Sequence, residues 1–211
     1  MSNYLAVDTA SKYLCAVLCV GGKTYTEYRE DCAMKHSTEL MPSIDELFRR
    51  ANATPQDVDF FACVEGAGSF TGIRIGISAI KGFALATKKA ILPVTTFRLA
   101  AYNGKGNKIL ALCDALHGHY YAAAYDESGA ETLPPSYIDG EQVRSFAEQG
   151  YLVKSIEELT LPEGVVYERV RPDEAMIGLI DALKDDAAAF RTPVALYVRK
   201  CQAEIEREKK L

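Results

Sequence analysis

Twelve residues, Glu65 to Gly76, read EGAGSFTGIRIG and hold four glycines: Gly66, Gly68, Gly72 and Gly76. An apolar run from Val58 to Val64 precedes them, and a long apolar stretch to about Thr87 follows. This is the order of a strand, a glycine loop and a helix. Such a loop can turn backbone N–H groups toward an anion at the helix N-terminus. It can also let another backbone approach closely, because glycine has no Cβ. For the first use, Gly66, Gly68 and Ser69 are the candidate phosphate contacts. Asp8, where the apolar run Tyr4 to Val7 ends, is a candidate for holding Mg²⁺ or its water beside a nucleotide, with Thr9 a further candidate nucleotide contact. No Walker lysine follows the loop, and Glu65 brings a charge of the wrong sign. The simpler readings are a turn-capping carboxylate for Asp8 and helix N-caps for Ser69 and Thr71.

Other chemistry-bearing types are sparse. His117 and His119 alternate near Asp114, which suggests a weak metal site, with an exposed turn as the simpler reading. His36 and Ser69 are a base and a hydroxyl, but nothing in their spacing pairs them. None of the six cysteines forms a C-x-x-C pair, and four lie in apolar runs, which fits buried thiols of a reduced cytosol. No metal site is expected.

The helix from Gly72 to Thr87 is apolar on more than one side. Ile73, Ile77, Ile80 and Ala84 make one stripe; Ile75, Ala79, Phe83 and Ala86 make another, with Arg74 and Lys81 the only charges. A chain this small covers one side with its own core. The other calls for a neighbouring subunit, with Gly72, Gly76 and Gly82 as gaps for close approach. The expected interface residues are Gly72, Ile73, Gly76, Ile77, Ile80 and Phe83. His36 and Leu40 of a second helix, spanning 36–51 with Pro42 in its first turn, are expected to help.

Further elements follow from pattern. Tyr13 to Val20 and Thr24 to Arg29 make a hairpin about Gly21-Gly22. Ile91 to Thr95 is a strand and Phe97 to Tyr102 helical. Asn103 to Asn107 is a polar, glycine-rich linker. The plan then restarts with strands at Ile109–Cys113, Tyr120–Tyr125 and Glu131–Tyr137, helices over 141–149 and 173–184, and a charged, helical tail from Arg199 to Lys210. Two related α/β lobes are expected, 1–102 and a reduced 103–211.

The 211 residues are 48% hydrophobic and 25% charged, with no tryptophan and a net charge of −5. That acidity argues against gripping nucleic acid alone, since phosphate contacts need a basic surface. The N-terminus reads as no signal peptide, and no apolar run is long enough to cross a bilayer. A cytoplasmic location is expected.

These residues resemble the bacterial TsaB (YeaZ) family, whose members help make N6-threonylcarbamoyladenosine in tRNA. The resemblance rests first on SFTGIRIG at 69–76 with Lys81-Gly82-Phe83-Ala84 after it. YLAVDTAS at 4–11, His36-Ser37 with Leu40 and Pro42, Asp114-Ala115, Tyr197-Val198-Arg199 and Ala203-Glu204 support it. Two positions depart from the family pattern. Ala67 stands where a proline is usual, and Leu116 where an arginine is usual. Asp8, Thr9 and Ser11 also resemble the first phosphate loop of the actin and sugar-kinase superfamily. The catalytic paralogue TsaD carries a His-x-x-x-His metal motif soon after its glycine-loop helix. The corresponding stretch here, Thr95 to Ala100, has no histidine. The resemblance therefore implies a two-lobed fold of the actin/sugar-kinase/Hsp70 (ASKHA) type and a non-catalytic subunit that pairs with a TsaD-like transferase. It also implies self-association as a homodimer, a TsaE-like ATPase partner, tRNA contacts only through partners, and no membrane. No cofactor is required, although ATP or ADP with Mg²⁺ near a subunit interface is a candidate. The alternatives are a small ATP-dependent phosphotransferase using Asp8 and a glycoprotease-like peptidase using His36 or Ser69.

Overall fold

The computed structural model describes residues 2–199. Cys201, Ala203-Glu204 and nearly all of the charged tail lie outside the described residues. The first sheet comprises β1 (Tyr4–Asp8), β2 (Leu14–Val20), β3 (Lys23–Arg29), β4 (Phe60–Val64) and β5 (Ala90–Val94), ordered β3-β2-β1-β4-β5. β1 to β3 are antiparallel neighbours, whereas β1, β4 and β5 run parallel. Gly21 and Gly22 turn the β2–β3 hairpin with φ of 58° and 76°, the left-handed pair that a two-residue turn demands.

Two long helices cover this sheet. α1 (His36–Ala51) lies against β2 and β3, α2 (Phe70–Thr87) against β4, and the two helices touch each other. α1 stops at Asn52, which adopts the left-handed conformation and returns its N–H to the Arg49 and Phe48 carbonyls. Pro42 sits inside α1 rather than in its first turn. It is exposed there and forgoes one helical hydrogen bond on the solvent side. β5 leads into the short α3 (Thr96–Ala100).

The second sheet comprises β6 (Ile109–Asp114), β7 (His119–Tyr125), β8 (Glu131–Asp139), β9 (Leu152–Ser155) and β10 (Glu168–Arg169), ordered β10-β9-β6-β7-β8. Read backwards, this is the first sheet again: an antiparallel β6–β7–β8 set with β9 and β10 added in parallel. α4 (Gly140–Glu148) follows β8, capped by an Asp139–Gln142 box. α5 (Pro172–Leu183) follows β10 but packs back on β2 and α3 of the first lobe. Its Ala175, Met176 and Ile180 join the first lobe's core. A separate core of Leu110, Leu112, Val143 and Val153 lies within the second lobe.

The parallel strands β9 and β10 escape sequence reading. β9 is four residues long and carries Lys154, an unpromising strand residue. Its side chain is nevertheless buried, with Nζ donating to the Tyr102 carbonyl at 2.9 Å and pairing with Glu168 at 3.1 Å.

Candidate functional site

The glycine loop is filled by the protein's own backbone. An added Cβ would lie 2.1 Å from the Ala10 carbonyl oxygen at Gly68 and 2.0 Å from that of Thr9 at Gly72. Ser69 N donates to Ala10 O at 2.7 Å, and Thr9 Oγ1 donates to Gly72 O at 2.7 Å. The loop after β1 is therefore pressed into the start of α2, and the glycines exist to permit it. Gly66 meets Leu196 in the same way, with an added Cβ 2.6 Å from its carbonyl oxygen.

Asp8 is sealed beneath that contact. It is fully buried, accepts Ala10 N at 2.9 Å, and accepts a hydrogen bond from the Tyr13 hydroxyl. Burial pushes its carboxyl above the usual range, against the opposing pull of Tyr13, Ala10 and His36. Asp8 and Thr9, the residues expected to contact a nucleotide, are here buried and hydrogen-bonded within the chain, Asp8 to Ala10 N and Tyr13, and Thr9 to Gly72 O. Ser69 caps α2 by accepting Gly72 N at 3.2 Å. Asp8 is enclosed and presents no open oxygen to a Mg²⁺-nucleotide at this loop.

The predicted interface is corrected as well. Gly72, Ile73, Gly76, Ile77, Ile80, His36 and Leu40 are all buried within this chain, and Phe83 is half-buried, stacked on Phe61 at 5.7 Å. The stripe with the most isoleucine faces the chain's own sheet, because that is where the largest apolar area leaves water. The face left outside carries Thr71, Arg74, Ser78, Lys81, Gly82, Leu85 and Ala86, flanked by half-buried Ile75 and Ala79. Leu85 is 83% exposed, and Met41 on neighbouring α1 is 50% exposed. Gly82 has open space around it, so it leaves a notch in this face.

Between the lobes lies a cavity of about 440 Å³. Ser11, Lys12, His36, Asp114, Glu157 and Arg199 are among its polar lining residues, with Met34, Phe70, Leu116 and Tyr121 among its apolar ones. Gly68 and Ser69 also reach it. Glu157 bridges the two lobes: its carboxylate accepts Ser11 Oγ from the first and Asp114 N, at 2.7 Å, from the second. Burial, then the nearby Asp114 charge, raises its carboxyl above the ordinary range, partly offset by the two hydrogen bonds and Lys12. Sequence offered no signal for Glu157, which sits in an irregular loop after the missed β9.

The peptidase and metal readings find no assembled site. His36 Nε2 lies 2.9 Å from Tyr13 O and Ser69 is spent on its cap, so the two form no nucleophile–base pair. His117 and Leu116 sit in a left-handed turn, and the His119 ring stacks on Tyr137 at 4.8 Å. Among the described residues, no three His, Cys, Asp or Glu side chains are placed to hold a metal. No described helix is long and apolar enough to cross a membrane.

A duplicated five-stranded mixed sheet, with the cavity where the two copies meet, defines a two-lobed protein of the ASKHA class. The sequence profile of the family described as "TsaD: tRNA N6-adenosine threonylcarbamoyltransferase" matches residues 28–206, most of the chain. The chain is 33% identical over 132 residues to the tRNA threonylcarbamoyladenosine biosynthesis protein TsaB of Escherichia coli, covering 59% of this chain and 56% of that one. It is 30% identical over 123 residues to TsaB of Bacillus subtilis, covering 57% and 54%. The chain thus spans little more than half the length of these curated relatives. YeaZ of Pseudomonas aeruginosa shares the fold, with a TM-score of 0.69 at 21% identity, over 93% of this chain and 100% of that one. The chain belongs to the family of TsaD-type tRNA N6-adenosine threonylcarbamoyltransferases, and within that family it is similar to the TsaB (YeaZ) proteins.

Proposed function

We propose that this chain is a non-catalytic subunit in the formation of N6-threonylcarbamoyladenosine in tRNA, acting by docking on the TsaD-type transferase through the outward face of α2. The observation that carries this reading is the face itself: Leu85 and Ala86 stand into solvent, Gly82 leaves a notch, half-buried Ile75 and Ala79 flank them, Arg74 and Lys81 add charge, and Met41 is exposed on neighbouring α1. A face of that kind marks a partner site. Two helices presenting it side by side suit helix-on-helix packing, in which a small residue lets the partner's ridge enter. The same face serves self-pairing when no transferase is present. A TsaE-type ATPase joins the assembled pair, and tRNA is held by the partners, in keeping with the chain's net charge of −5.

The absence of catalysis by this chain is supported by the enclosure of Asp8 and by the commitments of His36 and Ser69. The proposal routes no step through a nucleotide held at the glycine loop.

The test is size-exclusion chromatography of the chain with the transferase, together with mass spectrometry of tRNA nucleosides from cells lacking the gene. Leu85→Asp is expected to abolish co-elution while leaving the circular dichroism spectrum unchanged. Gly82→Ala is expected to weaken co-elution. Co-elution of Leu85→Asp at wild-type strength sinks the docking face. Undiminished modified adenosine in the deletion strain sinks the pathway assignment.

A further inference from the structure

After α5 the chain crosses back over the glycine loop as an extended strap, residues 190–199, and its contacts divide into two halves. The first half is anchored by backbone and by a buried carboxylate. Arg191 N donates to Ile91 O at 3.0 Å. The Arg191 guanidinium grips both oxygens of Glu65, a residue only 4% exposed. Glu65 Oε2 also accepts Val194 N at 3.1 Å, and its backbone carbonyl accepts Leu196 N at 2.7 Å. Glu65 is therefore the post to which the strap is tied, which accounts for a carboxylate placed at a glycine loop.

The second half is held by side chains. The Tyr197 ring stacks on Phe70 with centroids 4.4 Å apart, and its hydroxyl accepts Arg74 Nε at 2.6 Å. Arg199 lies over the Tyr137 ring at 5.0 Å and donates to its hydroxyl at 3.3 Å. Tyr137 stacks on His119 and lies 6.0 Å from Tyr121. Among the described residues no backbone hydrogen bond holds Tyr197, Val198 or Arg199 outside regular elements. A segment so held opens at lower cost than its anchored neighbour.

Arg74 stands on the outward face of α2, whereas Arg199 and Tyr121 line the interlobe cavity. We propose that the strap couples these two places: a partner engaging Arg74 on the docking face changes the hold on Tyr197 and thereby the seat of Arg199 over Tyr137 at the cavity rim. The coupling runs through contiguous contacts, from Arg74 to Tyr197 and along the side-chain-held half of the strap to Arg199 and Tyr137. Its partner arm rests on the docking face proposed above; its intramolecular arm does not.

The chain contains no tryptophan, so Tyr121→Trp places one reporter beside the cavity. In that background, Arg74→Ala and Tyr197→Phe are expected to shift the reporter's emission. Tyr197→Phe keeps the ring stacked and removes only the hydroxyl. Both are also expected to speed exchange of the Leu196 amide about fivefold, the effect of losing one hydrogen bond. Val194→Ala, at an exposed strap position, is expected to leave emission unchanged. If neither Arg74→Ala nor Tyr197→Phe moves emission or exchange, the coupling is overturned. When the transferase is added and co-elutes, the reporter is expected to shift, and Tyr197→Phe to blunt the shift. Co-elution with a silent reporter overturns the coupling. Absence of co-elution instead counts against the docking face, and the variants in the lone chain still decide the strap.

Discussion

The two lobes repeat one topology and spend it differently. Both begin with a strand ending in aspartate, and both fold that aspartate into the same turn. Asp8 accepts Ala10 N at 2.9 Å in the first, and Asp114 accepts Leu116 N at 2.8 Å in the second. In the first lobe the turn is sealed by the glycine loop and by Tyr13. In the second the turn stays open, and Asp114 lines the interlobe cavity. The crossovers also differ. β4 reaches β5 through the 18 residues of α2, whereas β9 reaches β10 through residues 156–167, which hold no helix. A parallel connection needs a crossover, and a helix is the usual one. The second lobe replaces it with a loop, and β10 is only two residues long. The difference teaches that the duplicated sheet is the scaffold, while a long outward helical face is built only where the crossover helix survives.

The sharpest test of that comparison sets the two sides of α2 against each other. Ile80 is fully buried, so Ile80→Asp places an unpaired carboxylate in the core and is expected to cost on the order of 5 kcal/mol, enough to unfold the chain. Leu85→Asp on the other side is expected to change stability by no more than about 0.5 kcal/mol. Thermal melts of the two variants measure the contrast, and similar melting points would break it.

A smaller effect separates the two turns. Gly68 has φ +146° and no room, so Gly68→Ala is expected to lose roughly 3 kcal/mol. Gly118, in the second lobe's open turn, has φ +73° with nothing within 4 Å, so Gly118→Ala is expected to lose about 1 kcal/mol. Urea titrations with unchanged m-values give both numbers. Equal losses would mean that the first turn is no tighter than the second.

The smallest expected effect concerns the join between the lobes. Glu157 has a folded-state carboxyl raised above its unfolded value, so its ionised form is disfavoured by folding. The stability it contributes is full at low pH and is lost as pH rises through that raised value. Glu157→Gln can still accept Asp114 N and can donate to Ser11 Oγ, without a charge to bury. Its melting point is therefore expected to gain on the wild type as pH rises from about 4 to 7. A difference that stays flat across that range would remove Glu157 as a titrating bridge.

Much of this was legible beforehand where local chemistry and global fold agree. The hairpin at Gly21-Gly22, the span of α1 and the restart after Asn107 all follow from turn residues and periodicity, which act over a few positions. The helix of the glycine loop was legible too, but its orientation was not. Two apolar stripes are visible in the sequence, and periodicity does not say which of them meets the chain's own sheet; the structure buries Ile73, Ile77 and Ile80 there. Glu65 read as a charge unfavourable to phosphate. It is the anchor of a strap more than a hundred residues away in sequence, a contact no local pattern encodes.

The order and types of most elements, β9 and β10 excepted, are thus properties of the sequence alone, since hydrogen bonding within helices and turns and the burial of alternating side chains are short-range. Only the tertiary structure decided that the glycines admit the Ala10 and Thr9 carbonyls, that Asp8 is enclosed, and that α2 turns Leu85 outward. Those outcomes depend on which surfaces meet when the chain closes on itself, and that is set by total apolar area and close packing across distant residues.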